Sequence, residues 1–229
     1  MLKPQKKISR REIKEDKLVT AYFETRGWIE KNPKIISYIA IGLAGIVIIG
    51  FLWSKNRADS NEKATTMLAK VAQYYDEGKY DLAIDGVPQE GTQGLQAIVD
   101  EHGSTKTGQL AKLYLANSYY ALKNYDKALE CYDDISVSDK LVSASAMAGV
   151  AACYEAKGDF VKAASYFEKA ASKNMTLMQA PENLQRSAVN YAAAGKKEKA
   201  VELLQTLKKE FPTSTFAREV DRFITEYSS

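Results

Sequence analysis

This chain of 229 residues has little equipment for chemistry: one histidine, two cysteines, five prolines and 13 glycines. His102 stands in "DEHGST", expected to be a loop between helices. It has no cysteine or acidic cluster at metal-ligand spacing, and no serine or cysteine in a nucleophile context. Neither a GxGxxG turn nor a P-loop occurs. The acidic pairs Asp76–Glu77 and Asp133–Asp134 read as helix ends or solvated faces, not as carboxylates poised for acid–base work. No catalytic, metal-binding or cofactor-binding residue is therefore expected, and the chain reads as a non-enzyme with no small-molecule substrate. Cys131 and Cys153 lack the CxxC spacing. They either bridge or serve as small buried apolar side chains, and the second is the reading taken. Proline is scarce mid-chain, while Ala, Lys, Glu, Leu and Tyr are plentiful, which favours helices.

A basic folded surface is also lacking. The formal charge of +3 conceals an asymmetry. Residues 1–34 hold ten Lys/Arg against five Asp/Glu, whereas residues 58–229 hold 20 against 24. Nucleic-acid binding needs a basic patch on the folded domain, so a nucleic-acid partner is not expected. A basic tail beside an apolar segment suits anionic lipid headgroups instead.

One long hydrophobic run is present. "IISYIAIGLAGIVIIGFLW", Ile35 to Trp53, has 19 residues and no charge. At about 1.5 Å per residue it reaches roughly 28 Å, the thickness of a bilayer's hydrocarbon layer. Tyr38 and Trp53 stand near its ends, where amphipathic rings favour the interface. A buried core helix rarely runs so long without a polar interruption. A cleaved signal peptide would have a shorter leader than 34 residues and a small-x-small site after the run, which is missing. No cysteine suits a lipoprotein, and no GxxxG pair marks a dimerising face. The run is read as an uncleaved transmembrane anchor, residues 35–53. Ten basic residues precede it, and Lys55 and Arg57 come closely after it. The positive-inside rule then keeps the N-terminus in the cytoplasm and exports the chain beyond the run, in a bacterium to the periplasmic face of the inner membrane.

The leader, residues 1–34, carries its own pattern. Leu18, Val19, Tyr22, Phe23 and Ile29 fall on one helical face, and Asn32-Pro33 breaks the helix. A short amphipathic helix is expected from about Ile13 to Lys31, lying on the membrane surface or a partner. Residues 54–61 read as a linker.

Four later stretches resemble one another: "YYDEGKYDLAI", "YYALKNYDKALECY", "YEAKGDFVKAASYF" and "YAAAGKKEKAVELL". Each has a tyrosine, a turn, and then an alanine: Ala83, Ala128, Ala163 and Ala200. The alanine spacings are 45, 35 and 37. This period and pattern resemble the tetratricopeptide repeat, in which two antiparallel helices approach closely at a small residue. In that frame Tyr80, Tyr125 and Phe160 plug the start of the second helix, and Tyr132, Phe167 and Leu204 fill its next turn. The 45-residue spacing marks an insertion near residues 85–92, "DGVPQEGT", expected to be exposed and mobile. "TSTFAREVDRFITEYSS" reads as a capping helix, with Thr213 or Ser214 as N-cap and Phe216, Val220, Phe223 and Ile224 on one stripe. The fold class expected is all-α: a single N-terminal transmembrane helix, then residues 62–229 as a solenoid of about four helix pairs and a cap.

The resemblance also carries expectations about partners. In that family the first helix of each pair lines a concave groove, placing Leu68, Tyr75, Leu113, Asn117, Tyr120, Ser145, Glu155, Gln185 and Val189 there. Such a lining suits extended polypeptide. Where the carboxylate clamp of cytosolic co-chaperones needs a lysine ahead of Asn117, this chain has Leu113, so recognition of a terminal carboxylate is not implied. Together with the anchor, the architecture resembles the membrane-anchored periplasmic tetratricopeptide proteins that accompany the Sec translocon. That resemblance implies translocon subunits, periplasmic chaperones or exported clients as partners. An envelope-assembly scaffold, an accessory subunit of a membrane enzyme and a mitochondrial outer-membrane receptor remain alternatives; the basic residues lying before the span disfavour the last.

Overall fold

The computed structural model describes residues 10–173, 175–176 and 178–228, with side chains from Val19 onward. The chain divides into two compact units, Met1–Asn56 and Arg57–Ser229. Helix α1 spans Arg10–Lys31 and α2 spans Pro33–Asp76, so the boundary falls inside α2.

In the first unit, α1 stops where the sequence says it should. Proline at position 33 supplies no N–H to continue the ladder, and the Asn32 side chain donates to the Trp28 carbonyl at 2.8 Å. Val19, Tyr22, Phe23 and Ile29 are all exposed, and so is Trp28. At 3.6 residues per turn Trp28 falls off that stripe, so the helix is less one-sided than expected. Leu18, counted in the same stripe, lies outside the described side chains, and residues 1–9 of the leader lie outside the described residues. No residue from Ile35 to Trp53 is buried. Ile41, Ile46, Val47, Ile49 and Phe51 are each about two-thirds exposed. By length and composition the segment is apolar enough to cross a membrane.

Residues 54–61, read as a linker, are helical instead. Their charges mark the end of the apolar run, but no Gly or Pro stands among them to break the ladder; Lys55, Arg57 and Ala58 favour the helix and offset the weaker Ser, Asn and Asp beside them.

The second unit is a stack of helix pairs. The C-terminal part of α2 pairs with α3 (Tyr80–Asp85) and α4 (Leu95–His102). Then α5 (Lys106–Ala121) pairs with α6 (Tyr125–Asp133), α7 (Lys140–Ala156) with α8 (Phe160–Lys173), and α9 (Ala180–Ala193) with α10 (Lys197–Glu210). Ala83, Ala128, Ala163 and Ala200 are completely buried, as helices crossing at a small residue require. Tyr132, Phe167 and Leu204 fill the turn beyond them and are buried as well. Phe160 departs from its expected role as a plug: it is 38% exposed.

The four turns within the pairs share one geometry. Gly78, Lys123, Gly158 and Gly195 have φ of 72°, 61°, 80° and 76°. The next residue donates its N–H to the carbonyl of the repeat tyrosine: Lys79 to Tyr74, Asn124 to Tyr119, Asp159 to Tyr154 and Lys196 to Tyr191, at 2.8–2.9 Å. This six-to-one bond through a left-handed residue is a Schellman ending. Asn124 and Asp159 then cap the second helices, accepting from Lys127 N and Lys162 N. One residue pair thus ends one helix and starts the next.

The core is a chain of small clusters, each shared by neighbouring pairs. Val71, Ala83, Leu95, Ile98, Ala111 and Leu115 join the first pair to α5. Ala116, Ala128, Tyr132, Val150 and Cys153 join the second to the third. Leu184, Leu204, Leu207 and Val220 join the fourth to the cap. The cap is a 3-10 turn, Phe216–Glu219, followed by α11, Val220–Ser228. Thr215, not Thr213 or Ser214, holds its N-cap position and makes no side-chain cap there, while Ser214 Oγ one residue earlier accepts from Ala217 N at 3.1 Å.

Three sequence expectations are corrected in this unit. The insertion is not an irregular loop: Gly86–Val87 (β1) and Thr92–Gln93 (β2) form an antiparallel hairpin, with Gly86 and Thr92 buried while Asp85, Pro88, Gln89, Glu90 and Gly91 are exposed as expected. The Tyr74 hydroxyl donates to the Glu90 carboxylate at its tip. His102 is not in a loop: it is the last residue of α4, buried, with Nδ1 2.8 Å from Ser60 Oγ. Leu68 does not line a groove: it is 9% exposed and packs in the first core cluster, because its face of α2 is the one turned to α3 and α4.

Candidate protein-binding face

Leu68 apart, the expected groove residues are all half-buried. They lie on α2, α5, α7 and α9, the first helices of the four pairs, and three of them, Tyr75, Asn117 and Glu155, belong to two polar relays.

The first relay joins the first pair to the second. Asn117 on α5 donates through Nδ2 to the Tyr75 hydroxyl at 3.2 Å, and its Oδ1 accepts from the Tyr132 hydroxyl at 2.6 Å. The Tyr75 ring stands edge-on to Tyr80 and Tyr114, with centroids 5.6 and 4.6 Å away. Edge-to-face pairs of this kind add about 0.5–1.5 kcal/mol beyond their burial. Leu113, one turn before Asn117, packs against the cluster around Ala116 and Tyr132. Tyr120 tilts over Tyr125 at 5.5 Å. Burial pushes the hydroxyls of Tyr75, Tyr120 and Tyr132 above the usual tyrosine range. They remain protonated donors at any physiological pH.

The second relay joins the third pair to the fourth. Glu155 on α7 accepts from Arg186 Nη2 and from Asn190 Nδ2 on α9, both at 2.5 Å. The Arg186 guanidinium lies 4.2 Å from the Phe167 ring centroid, a cation–π contact that fixes the plane of the fork. The side chains of Glu155 and Arg186 remain about one-third exposed. Gln185 and Val189 flank Arg186 on α9, and Ser145 lies at a half-buried position of α7.

The relays combine aromatic surface, amide groups and one partly exposed charge pair. Such a face can take apolar side chains between rings and backbone amides on polar tips. It offers no activated nucleophile. Cys131 and Cys153 are free thiols, and burial pushes both up to about 11, so neither is a thiolate near neutrality. Sequence reasoning missed the half-buried Arg186 and Tyr114 beside the face, and the buried Asn190 and Tyr132 that hold it from beneath. The i, i+4 spacing of Arg186 and Asn190 puts both on the flank of Gln185 and Val189, and was the available signal.

Comparison with known proteins bears on the fold. A family model described as tetratricopeptide repeat matches residues 110–136 and 182–214, parts of the second and fourth pairs. A crystal structure of a variant of the nearly identical tetratricopeptide-like repeats of a Podosopora anserina kinesin light chain superposes with a TM-score of 0.54. It has 16% identity and covers 72% of this chain and 84% of that one. A second crystal structure of those repeats gives 0.49 at 15% identity, covering 72% and 95%. No curated protein sequence matches the chain. Residues 110–136 and 182–214 thus match the tetratricopeptide-repeat model, and the stack of helix pairs has the fold of a tetratricopeptide-like solenoid.

Proposed function

We propose that this chain is a protein–protein interaction scaffold, the role its tetratricopeptide repeats imply, held at a bacterial inner membrane by residues 35–53, with its N-terminus in the cytoplasm and its repeat unit in the periplasm. It acts by binding, without catalysis. The face running from Tyr75 through Tyr120 to Glu155 and Arg186 takes extended segments of exported proteins or of periplasmic chaperones, at or near the Sec translocon. One observation carries the reading: a 19-residue apolar helix segment with no buried residue is continuous with a unit of tetratricopeptide repeats. The basic leader supports the orientation.

Photo-crosslinking in intact cells tests it. A photoreactive residue at Ile46 reports the neighbour of the apolar segment, and one at Tyr120 reports the occupant of the face. Translocon subunits at Ile46 with several exported clients at Tyr120 are expected. Capture of one envelope protein at both positions, without translocon subunits, would overturn the secretion role and make the chain a dedicated assembly scaffold.

A further inference from the structure

Residues 57–65 are latched to the corner between α4 and α5 by four polar contacts. Arg57 Nη2 donates to the Ser104 carbonyl at 2.8 Å, and Ser60 Oγ meets His102 Nδ1 at 2.8 Å. Asn61 Oδ1 accepts from Thr107 N at 2.9 Å, and Thr65 Oγ1 lies 2.9 Å from Thr107 Oγ1. The corner cannot swing away from the point where the repeat unit begins.

The two sides of this latch differ in charge. On one side is a cleft of about 390 Å³ lined by Arg57, Lys106, Asp139 and the hydroxyl residues Ser104, Ser136 and Ser138. The Asp139 carboxylate keeps its charge while it accepts from Val142 N at the start of α7, so the two cations outnumber it and the cleft is hydroxyl-rich with a small positive excess. On the other side is a cleft of about 670 Å³ where Asp59, Glu62 and Glu101 outnumber Lys63.

Arg57 lies four residues beyond Trp53. Covalent geometry alone keeps the two within about 14 Å, and Trp53 closes the apolar run. Arg57, where the latch begins, thus lies within two Debye lengths, about 8 Å each, of any headgroup layer that meets Trp53. An anionic surface attracts the side bearing Arg57 and Lys106 and repels the side bearing Asp59, Glu62 and Glu101.

On the reading that residues 35–53 cross a bilayer, we infer that the Arg57–Lys106 cleft is a docking surface for anionic phospholipid headgroups. It rolls the repeat unit onto the membrane with its acidic cleft turned away. The phosphodiester meets the guanidinium and ammonium groups, and headgroup hydroxyls meet the serines.

The test uses the full chain in liposomes of phosphatidylcholine alone or enriched in phosphatidylglycerol, with a nitroxide on a fraction of the headgroups. A fluorescent amino acid replaces Ser138 in one sample and Thr225, on α11, in another. In anionic liposomes, quenching at Ser138 is expected to exceed that at Thr225 severalfold. The excess should vanish in phosphatidylcholine and in the Arg57→Gln/Lys106→Gln chain, and shrink with added salt. Equal quenching at the two sites, or an excess that survives the double substitution, overturns the docking surface. Flotation after an alkaline wash reads the anchor separately. A chain that stays with the liposomes but shows no excess loses the docking surface alone; a chain that washes off loses both.

Discussion

At the scale of single residues, two small choices carry measurable weight. A Cβ on Gly149 would come within 2.3–2.7 Å of the Tyr132 ring. That ring cannot retreat, because its hydroxyl is held by Asn117. Gly→Ala within an exposed helix gains up to about 1 kcal/mol, but overpacking costs about 1–3 kcal/mol. The clash wins, so Gly149→Ala lowers the urea midpoint. An unchanged or raised midpoint would show that α6 and α7 yield. Lys123 is the opposite case. It holds a left-handed φ of 61° where the other three turns use glycine. Lys123→Gly removes that strain and is expected to raise stability by up to about 1 kcal/mol. The two thiols set an alkaline limit. Their folded values near 11 lie above the ordinary cysteine value, so folding favours the protonated form. That stability is present below about pH 8.5, where thiols of the unfolded chain begin to ionise, and is lost as pH rises to 11. Urea midpoints should stay level to pH 8 and then fall, less steeply in Cys153→Ala.

At the scale of elements, the hairpin changes what the insertion means. β1 and β2 pair Gly86 with Gln93 and Val87 with Thr92, and Glu90 ties the tip to Tyr74. Hydrogen exchange of the ladder amides should be slowed well beyond the rate of an exposed loop, by about tenfold or more. Exchange at the free-chain rate would restore the mobile insertion. The sequence could not reveal the hairpin because strands of two residues show no alternation, and Gly-Val-Pro looks like any turn. The helix pairs were legible for the opposite reason. Tyrosine, turn and alanine recur four times at fixed offsets, and each recurrence adds to the signal. His102 was misplaced because its neighbour Gly103 reads as a loop, although that glycine only ends α4.

At the scale of the whole molecule, the core is a series of nearest-neighbour contacts rather than one centre, so its ends matter. Removing residues 212–229 uncovers Leu184, Leu204 and Leu207, which Val220 and its neighbours now cover. Each large apolar side chain left bare costs about 1.5–3 kcal/mol. The fourth pair should then melt first, giving a two-step urea transition and early proteolysis near α9 and α10. A single unshifted transition would contradict the series. The pairing of helices was legible from the repeat frame, and Tyr75, Asn117, Tyr120 and Glu155 all fall on the first helices of their pairs. The relays were not, because Tyr75–Asn117 and Glu155–Arg186 join residues more than 30 positions apart. Leu68 failed because one helical turn separates a groove position from a core position.

The hairpin tip offers a practical opening. Gly91 turns with φ of 65° and has open space around it, while Ala83 and Ile84 before it and Leu95 after it stay locked in the stack. Chain length at the tip is therefore decoupled from the spacing of the repeats. An epitope, a fluorescent tag or a protease site spliced at Gly91 should ride on the scaffold without disturbing its register, giving a handle for watching the protein at work in the cell.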